Sequence, residues 1–341
     1  MPVGNGAKPG NGFGKRSAFG PPPDANLQPN GLDGITLRDL DKLSFPPIHW
    51  VIEGLLPVGL TLFAGKPKIG KSWLVLALAL AAADGALVLG KYKTARSEVL
   101  YLALEDNRRR LKSRMRKVLG PNQTPEGITC FTRWYTVDKG GLDELGHWLD
   151  EHPACRLVIV DTLGKIRGSP DGKMGIYQQD VSDLGGFATM AHTRDIAIVL
   201  VTHTRKMDAS DVFDLISGST GMTGTADTNW VLTKKRGEVG GTLAVTGRDI
   251  ETDGELAMRF DRERGTWEIL GDAAAVADET NHTRIYDLLL TANEPMSPAE
   301  IAESLDLSRN TAKITLSRMK SKKVVVKQGR AKWWLAQRVS A

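Results

Sequence analysis

A glycine loop between an apolar strand and a helix is the feature that most constrains this chain of 341 residues. The loop fits the phosphate-binding pattern G-x-x-x-x-G-K-[ST] and consists of Gly65, Lys66, Pro67, Lys68, Ile69, Gly70, Lys71 and Ser72. Residues 60–64 before it are apolar, as in a buried strand, and residues 72–83 after it are good helix formers. Glycine lets backbone N–H groups turn inward, and the new helix N-terminus adds positive potential where phosphates lie. The pattern predicts an α/β protein that binds a nucleoside triphosphate.

The end of this loop carries the side chains with the most specific predicted roles. We expect Lys71 to reach the β- and γ-phosphates, and the Ser72 hydroxyl to help hold Mg²⁺. Trp73 follows directly and completes the predicted nucleotide-binding segment. ATP and Mg²⁺ are therefore the expected ligands.

Composition and charge narrow the class of protein. With 41% hydrophobic and 25% charged residues, the chain is typical of water-soluble proteins. It has no run of eighteen apolar residues and no apolar leader, so we expect a cytoplasmic protein without membrane association. From Ser308 onward there are ten basic residues and no acidic one, which favours a nucleic-acid contact over a solvated basic tail.

Three regions follow from the pattern along the chain. Residues 1–42 are rich in Gly and Pro and are expected to be disordered. Residues 43–272 alternate apolar strands with helices and then change to short strands, which predicts a largely parallel sheet with an antiparallel extension. Residues 272–278 are expected to be a linker to a separate C-terminal domain, residues 279–341.

Polar residues suited to ATP hydrolysis follow three of the predicted strands. In open α/β sheets the ligand lies beyond the carboxyl ends of the strands, so these residues should converge on it. Asp161 is predicted to organise Mg²⁺, Glu105 to orient the attacking water, and His203 to hydrogen-bond the γ-phosphate. Asp106 competes with Glu105 or caps the next helix, and His203 has a purely structural alternative.

Several motifs in order resemble the RecA-like ATPases of the RepA type, a branch near the DnaB replicative helicases. The motifs are the extended phosphate loop from Pro57 to Trp73, the segment Leu102 to Asp106, the segment Val160 to Leu163, the segment Val201 to Lys206, the segment Gly218 to Gly221 and the segment Thr246 to Asp249. The resemblance covers roughly residues 45–270 and implies a RecA-like P-loop core.

The resemblance also implies an assembly and further contacts. It implies a ring, usually a hexamer, with ATP at subunit interfaces and single-stranded DNA in the central channel. Arg248 of a neighbouring subunit would then stabilise the transferring phosphoryl group, a role for which Lys234, Lys235 and Arg236 compete. Two loops are predicted to touch DNA, residues 164–175, with Lys165, Arg167 and Lys173, and residues 207–225.

The C-terminal region has the spacing of a winged helix-turn-helix. A helix is predicted over residues 280–290, a second one capped by Ser297, and a third one capped by Ser308 with Ala312, Ile314, Leu316 and Met319 on its apolar face. Residues 324–335 are predicted to form a hairpin that turns at 328–330. The expected phosphate contacts are Arg309, Lys313, Lys320, Lys327, Arg330 and Lys332. Duplex DNA and a replication protein remain alternative partners for this domain.

Together with the site residues, the resemblance implies an ATP-driven DNA translocase, a replicative helicase of the plasmid or phage type. Two alternatives stay open at this point. One is a RecA-like recombinase or a loader ATPase with the same core. The other is a replication initiator or regulator that binds a DNA site under the control of ATP.

Overall fold

The computed structural model describes residues 34–168, 175–205, 211–216, 220–234, 240–251, 253–329 and 331–338. Its strands are β1 (Trp50–Ile52), β2 (Leu56–Pro57), β3 (Gly59–Gly65), β4 (Leu87–Val88), β5 (Tyr92–Lys93), β6 (Glu98–Ala103), β7 (Ile128–Phe131), β8 (Cys155–Asp161), β9 (Ala197–His203), β10 (Thr228–Thr233), β11 (Gly240–Gly247), β12 (Gly254–Asp261), β13 (Thr266–Asp272), β14 (Val325–Gln328) and β15 (Lys332–Leu335). Its α-helices are α1 (Leu37–Leu40), α2 (Lys71–Asp84), α3 (Arg108–Leu119), α4 (Gly141–Glu151), α5 (Leu163–Ile166), α6 (Ile176–Arg194), α7 (Thr220–Thr225), α8 (Ala273–Thr291), α9 (Pro298–Leu305) and α10 (Arg309–Ser321).

One large sheet organises the core. Its nine strands have the order β13-β12-β11-β10-β3-β9-β8-β6-β7. Strands β7, β6, β8, β9, β3 and β10 are parallel, and β11, β12 and β13 extend the sheet in antiparallel pairs. A largely parallel sheet with an antiparallel extension is what the alternating pattern predicts, and it agrees with the RecA-like P-loop core that the resemblance implies. The chain passes from β3 out to β6 and then returns through β8 to β9. Because parallel crossovers are right-handed, the two directions place their helices on opposite faces of the sheet.

Two apolar layers enclose the sheet. One face packs against α2 and is filled by side chains such as Phe63, Tyr101 and Trp230. The other face packs against α4 and α6, around Phe187 and Leu184. A strand that is buried on both faces has a continuous run of apolar residues, and this run made these strands predictable from the sequence.

Some predictions needed correction. The edge strand β7 was not predicted, because it is only four residues long and partly exposed, although Ile128, Thr129 and Phe131 are residues that favour strands. Within the segment 1–42 that is expected to be disordered, Leu37–Leu40 form one exposed helical turn capped by Thr36. Residues 1–33 lie outside the described part of the chain. The expected linker at 272–278 is helical, because α8 begins at Ala273 with Asp272 as its N-cap.

The C-terminal region consists of three helices and a hairpin with a core of its own. Ser297 caps α9 and Ser308 caps α10 as expected, and Ser297 also forms a capping box with Glu300. The apolar face of α10 differs from the prediction at one position. Thr315 is buried, and Ile314 is 43% exposed. The residues of α8 also contact β12 and β13, so the region is joined to the large sheet directly.

Among the described residues, no helix is long and apolar enough to cross a membrane.

Candidate functional site

The phosphate-binding loop joins β3 to α2 at the carboxyl edge of the parallel strands. Gly70 has a φ of 112°, and a Cβ there would lie 2.9 Å from the indole nitrogen of Trp267. The same indole N–H donates to the Gly70 carbonyl over 3.1 Å. A larger residue at this position would therefore be strained and would displace the indole ring that closes the loop.

Lys71 points back into the loop. Its ammonium donates to the carbonyl oxygens of Gly65 at 2.5 Å and Lys66 at 3.0 Å. Burial lowers the pKa of Lys71 to about 8, against the opposing attraction of Asp161 and Glu105. Desolvation disfavours the charged form of an amine, so this cation gains most from an anionic ligand in the loop.

Asp161 ends β8 next to the start of α2. The Tyr101 hydroxyl donates to its Oδ2 over 3.1 Å, and the Ser72 hydroxyl lies close enough to lower its pKa. Burial outweighs both contacts and raises the pKa of Asp161 above its ordinary value. Its Oδ1 is buried without a hydrogen-bond partner among the described residues.

A carboxylate oxygen without a partner beside a hydroxyl fits Mg²⁺. Hard oxygen donors are the ligands that this cation prefers, and a phosphate loop supplies its Ser or Thr hydroxyl to the ion. Ser72 and Asp161 are the two residues predicted for this role. The donor set of the structure therefore matches the expected cation.

Glu105, His203 and Lys71 form a connected group. His203 Nδ1 lies 3.2 Å from Lys71 Nζ, and its Nε2 lies 3.9 Å from Glu105 Oε1. The Thr162 hydroxyl donates to the same Glu105 oxygen over 3.2 Å. The Glu105 and His203 side chains are 43% and 42% exposed, so both can contact a ligand in the cleft. Sequence reasoning missed Thr162, although it directly follows Asp161.

Asp106 has a different environment from its neighbour. Its carboxylate is 6% exposed and pairs with Arg110 at 2.8 Å and with Arg114 at 2.7 Å. Of the two neighbouring carboxylates, Glu105 therefore faces the cleft, and Asp106 is held against α3. This geometry favours Glu105 over Asp106 as the carboxylate that faces a ligand.

These residues line one cleft with a volume of about 530 Å³. Its lining from the loop is Pro67, Lys68, Ile69, Gly70, Lys71, Ser72 and Trp73, and the remaining lining is Glu105, Arg114, Asp161, Thr162, His203, Lys234, Phe260 and Arg262. A second cleft of about 600 Å³ lies between α2, the end of α3 and β13, and contains none of the predicted catalytic residues. The residues predicted to bind and hydrolyse the nucleotide therefore meet in the first cleft, apart from Arg248.

The wall beyond Trp73 was not predicted. Arg114 places its guanidinium 5.3 Å from the Trp73 ring centre, and Phe260 lies 6.3 Å from the same ring, centre to centre. Arg262 follows in the turn after β12. The four residues come from three distant segments, so no local pattern in the sequence could have grouped them.

Arg248 lies elsewhere. It follows β11 and donates to Asp227 Oδ1 over 3.0 Å, and its side chain is 63% exposed. Asp227 Oδ2 accepts from the backbone N–H of Leu60 over 2.8 Å, at the opposite end of β3 from the loop. The seven residues of β3 separate these two ends by roughly 20 Å, which exceeds the reach of an arginine side chain.

Two predicted loops differ from expectation. Arg167, expected near DNA, instead pairs with Asp180 and Asp183 of α6. The expected loop 207–225 includes the helix α7. Lys173, Lys235, Arg236 and Arg330 lie outside the described residues, whereas Lys234 lines the cleft.

The comparisons with known proteins agree with this architecture. A family model described as an AAA domain matches residues 26–209, more than half of the chain. The chain belongs to the AAA domain family. The match contains the phosphate loop, Glu105, Asp161 and His203, and it ends before Arg248 and the C-terminal region.

Two solved structures are similar to this chain at low identity. A solved ATPase domain is 14% identical, with a TM-score of 0.50, over 62% of this chain and 84% of that one. A DnaB-like replicative helicase, solved with a study of its interactions with primase, is 14% identical, with a TM-score of 0.48, over 62% of this chain and 57% of that one. A comparison with curated protein sequences gave no significant match. The likeness to the ATPase domain concerns the fold.

Proposed function

We propose that this chain is the ATP-driven motor of a replicative helicase, of the RepA or DnaB type, that works as a ring on single-stranded DNA. The observation that carries the proposal is the distance between Arg248 and the cleft of its own chain. One edge of the sheet holds a phosphate loop with its carboxylates, and the opposite edge presents an exposed arginine. A site divided in this way is completed by a second copy of the chain.

The nucleotide is proposed to bind with its phosphates in the loop. Lys71 would exchange its two carbonyl contacts for the β- and γ-phosphates. Ser72 and Asp161 would hold Mg²⁺, which neutralises charge on the phosphate oxygens. Arg114 and Phe260 offer a guanidinium plane and an aromatic ring, two surfaces that stack on a purine base.

Hydrolysis is proposed to depend on Glu105. Its exposed carboxylate, fixed by the Thr162 hydroxyl, would orient and polarise the attacking water. His203 lies between Lys71 and Glu105 and would report the γ-phosphate to the segment that follows β9. The segment after a nucleotide-sensing strand is where the state of the nucleotide can alter a grip on DNA.

Arg248 is proposed to act on the nucleotide of the neighbouring subunit. Asp227 holds its guanidinium through one nitrogen, and the exposed remainder of the side chain is available across an interface. The other terminal nitrogen of Arg248 donates to the Gly224 carbonyl of α7 over 3.3 Å, so two hydrogen bonds orient the guanidinium. A guanidinium that completes a site in this way is worth about 10³–10⁵ in rate.

The C-terminal region is proposed to be a winged helix that binds duplex DNA. On α10, Arg309, Lys313 and Lys320 are exposed, and α10 follows α9 at the short turn typical of helix-turn-helix units. Lys327 and Lys332 flank the turn of the β14–β15 hairpin. Cations on the helix and on the hairpin would contact phosphates on either side of one groove.

Particle images and a forked-duplex assay together test the proposed motor. With an ATP analogue and single-stranded DNA we expect closed rings, and with ATP we expect separation of the strands of a fork. Filaments without unwinding would support the recombinase alternative. Isolated particles that protect one DNA sequence from cleavage would support the initiator or regulator.

The winged helix has its own test. Arg309→Ala with Lys313→Ala should weaken duplex binding and reduce the salt dependence by about two counterions, at roughly 0.9 for each phosphate contact. The matched control is Arg38→Ala with Lys42→Ala in and near α1. An unchanged salt slope in the α10 variant would assign this region to a protein partner. Substitution is preferable to removal of residues 279–341, because that cut would fall inside α8.

A further inference from the structure

The most concentrated charge in this protein lies on α3. Seven of its 12 residues are Lys or Arg, and none is acidic. The whole chain has 45 Lys and Arg against 40 Asp and Glu, and without this helix the counts are 38 and 40. One helix therefore decides the sign of the net charge.

The helix has an apolar side and a basic side. Leu111, Met115, Val118 and Leu119 pack against the core on the α2 face of the sheet. The exposed cations are Arg108, Arg109, Arg110, Lys112, Arg116 and Lys117. Positions 108, 112 and 116 are one turn apart on the same side, so their side chains form a row with a spacing of about 6 Å.

The inner side of α3 is fixed at the rim of the nucleotide cleft. The buried carboxylate of Asp106 holds Arg110 and Arg114, and Arg114 lines the cleft. Among the described residues, no acidic side chain forms an ion pair with Arg108, Lys112 or Arg116. Like charges one helical turn apart repel and destabilise a helix, so this row is stabilised when a polyanion lies along it.

We propose that the exposed face of α3 binds the phosphate backbone of DNA beside the nucleotide cleft. A regular row of cations matches a polymer that repeats its charge, and five of the seven cations are arginines, whose forked donors fit phosphate oxygens. The surface is separate from α10 and from the segment at 164–175. It adds a DNA contact to the proposed motor, and binding there does not require hydrolysis.

The test is equilibrium DNA binding by the full chain without nucleotide. The variant is Arg108→Ala with Lys112→Ala and Arg116→Ala, because alanine preserves an exposed helix. Its matched control removes the same charge from Lys91, Lys93 and Lys139, which are exposed on other elements. Fluorescent single-stranded and duplex DNA are titrated between about 50 and 200 mM salt, a range over which binding through phosphate contacts weakens steeply.

We expect the α3 variant to lose about two to three units of the salt slope and about tenfold or more in affinity, since each phosphate contact adds 0.7–0.9 to the slope. A larger loss on one of the two DNA forms identifies whether the backbone is single-stranded or duplex. Arg108→Lys with Arg116→Lys keeps the charges and should retain the slope.

A slope equal to that of the control variant would overturn the proposal. So would a result in which a poly-glutamate peptide loses binding to the α3 variant while DNA binding stays intact, because the partner is then an acidic protein. Basal ATP hydrolysis should be unchanged in the α3 variant. Failure of the proposed motor appears in the fork and ring assays, which are independent of this binding measurement.

Discussion

The carboxyl and amino ends of the parallel strands form two edges of the large sheet, and the cations at these edges have different surroundings. At the carboxyl edge, Lys71 is buried and bonded to two loop carbonyls and a histidine, and its pKa falls to about 8. At the amino edge, Arg248 is exposed and anchored by the carboxylate of Asp227. Among the residues that the structure describes, Lys71 forms no ion pair, whereas Arg248 is paired with Asp227.

This difference indicates which of the two edges binds a ligand within a single subunit. A desolvated cation and an unpartnered carboxylate oxygen are both costly until a phosphate and a metal ion satisfy them. An exposed arginine held on one side by a buried acid is stable as it is, and it presents a fixed donor to a surface that approaches from outside. We infer that the carboxyl edge binds the nucleotide and that the amino edge serves the neighbouring subunit.

Lys71→Ala should have the largest effect. It removes the cation from the carboxyl edge, so we expect kcat/KM for ATP hydrolysis to fall by roughly 10⁴, from lost affinity together with lost transition-state stabilisation. Steady-state hydrolysis and binding of a fluorescent ATP analogue measure the two parts. The control is Lys66→Ala, which keeps Lys71 and should retain most of the activity. Near-normal turnover in Lys71→Ala would remove the basis for the nucleotide site.

Arg248→Ala should reduce kcat by about 10³ if the amino edge acts across an interface. Mixtures with Lys71→Ala subunits should regain activity, because some interfaces then pair an intact loop with an intact arginine. Activity is measured as a function of the mixing ratio, with subunit exchange shown by a labelled chain. Full exchange without recovery would refute the role of Arg248 in the neighbouring site.

Glu105→Gln should keep ATP binding and slow hydrolysis by about 10²–10⁴, the usual contribution of a general base. Asp106→Asn is the comparison, since its carboxylate faces α3 and not the cleft. We expect Asp106→Asn to lower stability more than it lowers the rate per folded molecule. The opposite pattern in a single-turnover assay would move the catalytic role to Asp106.

The pH dependence of ATP binding should report Lys71 directly. Below pH 8 the ammonium is charged in the free protein, and above it the free protein loses this proton. A bound triphosphate favours the charged form, so affinity should fall as pH rises above about 8, by up to tenfold for each unit. Calorimetric titrations between pH 7 and 9.5 measure this, and Lys71→Ala should show a flatter profile. Affinity that stays constant over this range would contradict the low pKa of Lys71.

Much of the nucleotide site could be predicted from local sequence. The loop from Gly65 to Ser72 is a single contiguous segment, and its strand and helix have the periodicity that local burial imposes. The position of Asp161 at a strand end could be predicted because this residue ends an aliphatic run that is buried on both faces. The capping residues Ser297 and Ser308 were predictable for the same reason, since a cap bonds to backbone only three residues away.

The sequence by itself therefore determined the loop, most strand and helix positions and the carboxylates at strand ends, because each depends on neighbours along the chain. Only the tertiary structure decided which distant groups meet. Trp267 reaches Gly70 across 197 residues, and Asp227 reaches Leu60 across 167. It also decided that Thr162 fixes Glu105, that Arg167 is paired to acids and that Ile314 faces outward. Sequence periodicity reports whether a residue is buried, but contact between strands and helices depends on their order in the sheet, which no local segment encodes.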